Sequence, residues 1–389
     1  MNPSDPPTVA LCLEFPIGLR GGVSIVVRAL IQNLKDHFRL IVVSTDSEAS
    51  FRETEPDLEH IHWNHPKPGA KAARELAAEL ARRGVQLGHF HFGGNYGWGS
   101  RIPGRCPIPH LARLNVPVVS TVHSIVGRLH GYCGPRKPLA FKLATYPIAW
   151  MGKNSVLKHV TREIAVSKHD FELLTHWHPA HAKKFQRIYH SRLQKTSAPN
   201  PEEAREKQIL NVGHIAFRKG QPVLARAFAL IANEFPDWSL RLCGDVVEPG
   251  AESAIRETAA GAGLEDRIHL LDPSDSALDL MARAGIYAQP SLEEAMGLAL
   301  QEAMFQGCAC VASNVGGIPE LIDNPALGVL TQPDDERELA DNLARLIRDQ
   351  DARRDLGAAA ARSIRERNMT SEAMTRSHIE LYESILFQS

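Results

Sequence analysis

The strongest constraint on this chain is a rhythm. Short apolar runs of strand length alternate with stretches in which apolar residues recur every three or four positions. Thr8 to Leu13 is the first run, and after a glycine-bearing turn Val23, Val26, Val27, Leu30, Ile31 and Leu34 fall on one helical stripe. Further strands are expected at Arg39 to Ser44, Leu87 to Phe92, Pro117 to His123, Glu163 to Ser167 and Arg187 to His190. A helix over Ala70 to Arg83 carries Lys71/Glu75 and Glu79/Arg83 as i,i+4 pairs on its outer face. Thr196 to Glu206 then breaks the rhythm: TSAPNPEEARE is polar, holds two prolines and has little to bury. The alternation restarts with strands at Gln208 to Val212, Ser239 to Gly244, Ile268 to Leu271, Ile286 to Gln289 and Ala309 to Ser313. Helices are expected over Gln221 to Asn233, around Leu339, Leu343, Leu346 and Ile347, and over Thr370 to Phe387.

Repeated strand–helix units imply a parallel sheet covered on both faces. Two such blocks imply an α/β protein with two doubly wound domains: residues 1–196, a linker at 197–206, residues 207–369, and a closing helix at 370–389. Ligands bind such sheets beyond the carboxyl ends of the strands, so the cleft between two facing domains is the expected site. The 44 basic and 45 acidic residues leave a net charge of -1, which argues against wrapping nucleic acid. Six scattered cysteines without a C-x-x-C pair argue against a disulfide scaffold or a zinc knuckle. Cys308 and Cys310 read as positions entering a buried strand. The N-terminal residues lack a basic stretch followed by an apolar core, and no uncharged apolar run reaches spanning length. A cytoplasmic compartment is expected.

Chemistry concentrates at strand ends. In PSLEEAMGLALQEAMFQG, residues 290–307, a strand ends, two carboxylates follow, and Gly297 opens a helix. With Glu294 on the loop and Glu302 inside the helix, both can face one ligand over the helix N-terminus, where free N–H groups suit an anion. A carboxylate accepts two hydrogen bonds from a diol. The same acids would also serve merely to complement the helix dipole. Val212-Gly213-His214-Ile-Ala-Phe-Arg218-Lys219-Gly220 places two adjacent cations before a helix, poor for capping and good for a diphosphate, though a solvated basic turn fits too. Gly18-Leu-Arg-Gly21-Gly22 allows close approach of a phosphate or sugar to the backbone, or forms a plain tight turn. His123 ends a strand where a ligand crevice would lie, and His89 and His91 end another; no third ligand has metal spacing. The one D-x-D, Asp349-Gln350-Asp351, reads as the solvated close of a charged helix.

Together these parts resemble the family 4 (group 1) glycosyltransferases of the GT-B fold. The resemblance rests on the E-x7-E pattern of Glu294 and Glu302, the Gly21-Gly22 loop, His123, the VSK strand end at Ser167 and the VG…RKG loop. It also takes in Cys243-Gly244-Asp245, Ser313 to Glu320 (SNVGGIPE) and the closing helix. It implies two facing Rossmann-like domains with the site in the cleft, and a last helix that crosses back to the first domain. It also implies roles: Glu302 for the ribose; Glu294 with the backbone of Met296, Gly297 and Leu298 for the donor sugar; Lys219, with Arg218 and Gly213, for the leaving diphosphate; Gly21 and Gly22 beside that diphosphate; and His123 by the reacting centre. His214 stands where the family usually has arginine, and His190-Ser191 where it often has Asn-Gly, a departure read as one of hinge geometry.

The implied function is a retaining, metal-independent hexosyltransferase of polysaccharide-type biosynthesis. Its co-substrate is a nucleotide-diphosphate sugar, with no cofactor, and its acceptor a saccharide, a lipid-linked sugar or a small molecule. A nucleotide-sugar 2-epimerase and an inactive nucleotide-binding scaffold in a polysaccharide assembly complex are the rivals. Acceptor choice is expected in the loops Gly93 to Arg105, where Tyr96 and Trp98 could stack on a sugar, and Gly127 to Lys137. Lys183 to Lys195, with five Lys/Arg and no acid, leaves room for peripheral contact with the inner membrane, or is a solvated basic edge.

Overall fold

The computed structural model describes residues 6–19, 21–63, 69–93, 98–100, 102, 104–124, 138–193, 205–273 and 277–387. The loop at Gly127 to Lys137, Tyr96 and most of the proposed linker lie outside them. The chain divides into two compact units, Met1–Arg192 with Ser371–Ser389, and Leu193–Thr370.

The first unit is built on a parallel sheet of seven strands: β1 (Thr8–Leu13), β2 (Arg39–Ser44), β3 (Glu59–His62), β4 (Leu87–Phe92), β5 (Val118–Val122), β6 (Arg162–Ala165) and β7 (Phe185–Arg187). Their spatial order is β3-β2-β1-β4-β5-β6-β7. The central strands are buried on both faces, which is why they read as unbroken apolar runs. Ala10, Ile41, Val43, Phe90 and Val118 join helix residues Leu76, Leu80 and Leu157 in one core. The closing helix Ser371–Leu386 packs beside Gly22–Leu34 in this unit. Tyr382 stands edge-on to Phe38, with ring centroids 5.6 Å apart.

The second unit repeats the plan with six parallel strands: β8 (Glu206–Val212), β9 (Ser239–Cys243), β10 (Ile268–Leu271), β11 (Ala284–Gln289), β12 (Ala309–Ser313) and β13 (Val329–Thr331), in the order β10-β9-β8-β11-β12-β13. Ile209, Leu240, Ile286 and Val311 meet Leu224 and Phe228 of the helix Gln221–Ile231 and Leu339 and Leu343 of Glu336–Arg348. Cys308 and Cys310 are buried at the start of β12.

Several expectations need correction. β3 and β13 carry no sequence signal because short edge strands need little apolar patterning. The last strand of the first unit is Phe185–Arg187 rather than Arg187 to His190, since Phe185 is the side chain that enters the core. Asp349 does not simply close a helix; its carboxylate also caps the next one, Gln350–Glu366, accepting from the Ala352 N–H at 2.8 Å. Trp98 is no sugar platform: it is fully buried, 5.2 Å from Trp63 and 5.4 Å from Phe90 between ring centroids. Within the basic Lys183 to Lys195 stretch, Lys184 faces inward and donates to the carbonyls of Leu157, Lys158 and Val160 at 2.8, 3.1 and 2.8 Å. It thereby closes the C-terminus of the helix Leu139–His159.

Candidate functional site

In the second sheet, β8 and β11 are neighbours although the chain visits β9 and β10 between them. This reversal is the topological switch point, where loops diverge and leave a crevice beyond the strand ends. The loop after β8 carries the short 3-10 turn Phe217–Lys219, and the loop after β11 carries Glu294. The two lie against each other. Arg218 O accepts from the Leu292 N–H at 2.9 Å. Gly220, at φ +72°, leaves room for this contact, because a Cβ there would sit 1.8 Å from the Pro290 carbonyl oxygen. Gly316 does the same after β12, where a Cβ would lie 1.7 Å from the Glu294 oxygen.

The outcome is an ion pair at the switch point: Lys219 Nζ donates to Glu294 Oε2 at 2.6 Å. That oxygen also accepts from Gln289 Nε2 at 3.1 Å and Ser291 Oγ at 3.4 Å. Burial pushes the Glu294 carboxyl up, but the Lys219 charge and hydrogen bond outweigh it and hold the group below the usual carboxylate range. Gly297 caps the helix Leu298–Phe305 without a side-chain cap, so its first turn offers backbone donors. Glu302 lies in that helix, 2% exposed, and its charge adds to burial in raising the Tyr287 phenol. Met296 is buried and Leu298 half-buried; Gly213 and His214 are half-buried, and Arg218 is exposed. Gln221 holds the His214 loop, donating from Nε2 to His214 O at 3.0 Å and to Asn211 Oδ1 at 3.2 Å. Gln221 and Gln289 escaped sequence reading; each is a polar residue at an otherwise apolar strand end or helix start.

In the first unit the switch point lies between β1 and β4. Gly21 caps the helix Gly22–Leu34, again without a side-chain cap. The loop before it is pinned by Asp46, whose Oδ2 accepts from the Ile17 N–H at 2.6 Å and from Ser44 Oγ at 2.5 Å. His123, just past β5, pairs through Nε2 with His91 Nδ1 at 3.0 Å. The His190 ring lies tilted against that of His123, with centroids 4.8 Å apart, and His89, His91 and His378 continue the cluster, with Tyr382 OH 2.5 Å from His89 Nδ1. Five histidines from one strand, two loops and the closing helix thus converge. Burial pushes His89, His91, His123 and His190 well below the usual imidazole range, and His378 down to about 4. They are neutral at neutral pH. His190 is thus a packing partner of His123. Among the described residues no group of three His, Cys, Asp or Glu has metal-holding geometry.

Residues 20–191 match the family model described as Glycosyltransferase Family 4, and residues 194–363 that described as Glycosyl transferases group 1. The chain belongs to the group 1 glycosyltransferases of family 4. Curated relatives include the N-acetyl-alpha-D-glucosaminyl L-malate synthase of Bacillus anthracis, 32% identical over 46% of this chain and 46% of that protein. The D-inositol 3-phosphate glycosyltransferase of Corynebacterium glutamicum is 35% identical over 41% of this chain and 39% of its own length. The chain thus spans less than half the length of these relatives. Solved structures agree over nearly the whole chain. Sucrose-phosphate synthase from Thermosynechococcus elongatus has a TM-score of 0.77 at 20% identity, covering 98% of this chain and 100% of that one. A Rickettsia africae glycosyltransferase has 0.76 at 19%, covering 99% and 100%. Anabaena HepE, solved with UDP and glucose, has 0.73 at 19%, covering 97% and 99%. At such identities these likenesses speak for the fold, which is GT-B.

Proposed function

We propose that this chain is a retaining glycosyltransferase that moves a hexose-type sugar from a nucleotide-diphosphate sugar to a saccharide, lipid-linked or small-molecule acceptor without a divalent metal. The observation that carries the reading is the Lys219–Glu294 pair at the switch point, beside the uncapped helix start at Gly297 and with Glu302 buried in that helix. A cation and a carboxylate 2.6 Å apart suit the two sides of a glycosyl–diphosphate bond. Lys219, with Arg218 and His214, takes the diphosphate; Glu294 and the backbone of Met296 to Leu298 take the sugar hydroxyls; Glu302 takes the ribose diol. The carbon–oxygen bond to the diphosphate breaks with its electron pair leaving on phosphate, and Lys219 stabilises that charge. The acceptor oxygen bonds to the anomeric carbon from the same face, and its proton passes to the departing phosphate oxygen. His123, kept neutral by burial, offers a hydrogen bond to a sugar hydroxyl, and the Gly21-Gly22 loop allows close approach of a phosphate to its backbone. The relatives named for L-malate and D-inositol 3-phosphate, and the HepE complex with UDP and glucose, support a donor of this class and a hydroxyl-bearing acceptor.

Calorimetry with nucleoside diphosphates, followed by a screen of labelled nucleotide sugars, tests this. Glu302→Ala should weaken nucleotide binding by about ten- to a hundredfold, the worth of hydrogen bonds to a charged group. Glu294→Ala should mainly lower turnover. Equal nucleotide affinity in Glu302→Ala and wild type would remove the ribose assignment. An inverted anomer in the product, or activity lost to EDTA and restored by magnesium, would overturn the retaining or the metal-independent part.

A further inference from the structure

His89 and His91 stand two positions apart on β4, so their side chains share one face of the first sheet, and Thr121 of β5, in register with His91, lies on that face too. His123 follows just beyond β5, its backbone N–H bonded to the Phe92 carbonyl at 3.1 Å. Both ring nitrogens of His89 are taken: Nδ1 meets Tyr382 OH, and Nε2 meets Thr121 Oγ1 at 2.7 Å. His91 differs. It is 0% exposed and its Nδ1 lies 3.0 Å from His123 Nε2, but its own Nε2 has no hydrogen-bond partner among the described residues.

Two neutral imidazoles joined nitrogen to nitrogen share one proton across the contact. Burial keeps both of these rings neutral at neutral pH. If His123 donated, His91 would carry its own proton on Nε2, a buried N–H with nothing to receive it. If His91 donates, its Nε2 is only a bare lone pair. Orphaned buried N–H groups are rarer than under-satisfied acceptors. His378, in the same cluster, has the second arrangement. Its Nδ1 is 2.8 Å from the Met374 carbonyl, which can only accept, so Nδ1 holds the proton and the unpartnered Nε2 is bare. We infer that His91 donates its Nδ1–H to His123 Nε2 and thereby fixes His123 in the tautomer with its proton on Nδ1. His91 is then a positioning residue. With Nε2 taken up, the one hydrogen-bonding atom that the His123 ring can offer a ligand is a donor, and its partner must be an oxygen lone pair. That this partner is a sugar hydroxyl rests on the transferase reading; the tautomer does not.

Nitrogen NMR of the full chain with isotope-labelled histidine, at neutral pH, tests it, the His123 signals being assigned by their absence in His123→Gln. Wild type should show His123 protonated on Nδ1 and bare on Nε2, His91 likewise, and a coupling between His91 Nδ1 and His123 Nε2 across the bond. His91→Asn, whose amide can donate from nearly the place of Nδ1, should keep that tautomer. His91→Leu should release it and let His123 carry its proton on Nε2. Wild-type His123 protonated on Nε2, or a tautomer unmoved in folded His91→Leu, overturns the inference. Should His91→Leu not fold, the wild-type spectrum decides alone. In donor turnover His91→Leu should lower kcat about three- to tenfold, the worth of one neutral hydrogen bond, with nucleoside diphosphate affinity unchanged. His91→Asn should restore most of that, and His91→Leu added to His123→Leu should cost nothing further. A moved tautomer with unchanged turnover would uphold the pairing and strike His123 from the transferase reading, so the two failures are told apart.

Discussion

The two units each hold a lysine–glutamate pair, and the pairs differ in setting more than in chemistry. In the first unit Lys153 Nζ donates to both oxygens of Glu163 at 2.7 Å, Ser120 Oγ adds a third bond at 3.0 Å, and both side chains are 0% exposed. In the second, Lys219 and Glu294 meet at 2.6 Å with side chains 21% and 13% exposed. The first pair joins the helix Leu139–His159 to β6 inside the fold, and no ligand can reach it. The second joins two loops at strand ends and stays partly open to solvent. Full burial turns a salt bridge into a structural obligation, because a lone charge left there has neither water nor partner. Partial exposure lets the same atoms serve a substrate.

The largest expected effect breaks the buried pair. Lys153→Met should cost about 3–5 kcal/mol of stability, read by urea unfolding, because Glu163 is left uncompensated. Lys153→Met with Glu163→Leu should recover most of it. A single-variant loss under about 1 kcal/mol, the range of exposed pairs, would erase the contrast between the two settings.

Lys219→Ala should act the other way. Turnover should fall by about 10²–10³, as when one stabilising donor is lost, while stability stays within about 1 kcal/mol. Unfolding of Lys219→Ala as severe as that of Lys153→Met would show the second pair to be structural too.

The histidine cluster sharpens the comparison through pH. An imidazole in the unfolded chain titrates near pH 6.5, about the ordinary value. In the folded chain burial depresses these groups, His378 to about 4. Below about pH 6.5 the unfolded state therefore binds more protons, and stability falls as pH drops toward 4. Each depressed imidazole adds up to about 1.4 kcal/mol per pH unit in that window. His378→Phe should flatten the acid limb of a plot of urea midpoint against pH, and an unchanged limb would remove His378 from the cause.

The smallest effect concerns how many cations accompany the exposed pair. Histidine carries charge only below its titration range, and arginine throughout. His214→Arg should tighten nucleoside diphosphate binding a few-fold above neutrality and flatten its pH dependence. Identical calorimetric profiles for the two proteins would leave Arg218 as the second cation.

The central strands of both sheets were legible because they are buried on both faces and must be apolar throughout. The loops of the proposed site stood out in the sequence because they set glycine and paired charges at strand ends. Edge strands β3 and β13 were not, since nothing in their residues distinguishes them from loops until a neighbour pairs with them. Nor was the helix Leu139–His159, whose apolar residues run around it rather than along one stripe and which contains Pro147.

The chain alone determined the alternation, hence two parallel doubly wound sheets, and it singled out Lys219, Glu294, Gly297 and Glu302 as the residues of the proposed site. Tertiary structure decided which charges meet. Lys219 finds Glu294 across 75 positions because β8 and β11 are neighbours, and His89 finds Tyr382 across 293 because the closing helix returns to the first unit. Pairing of this kind depends on strand order and helix return. Local propensity does not encode either, because each residue's neighbours are fixed only once the whole core is buried.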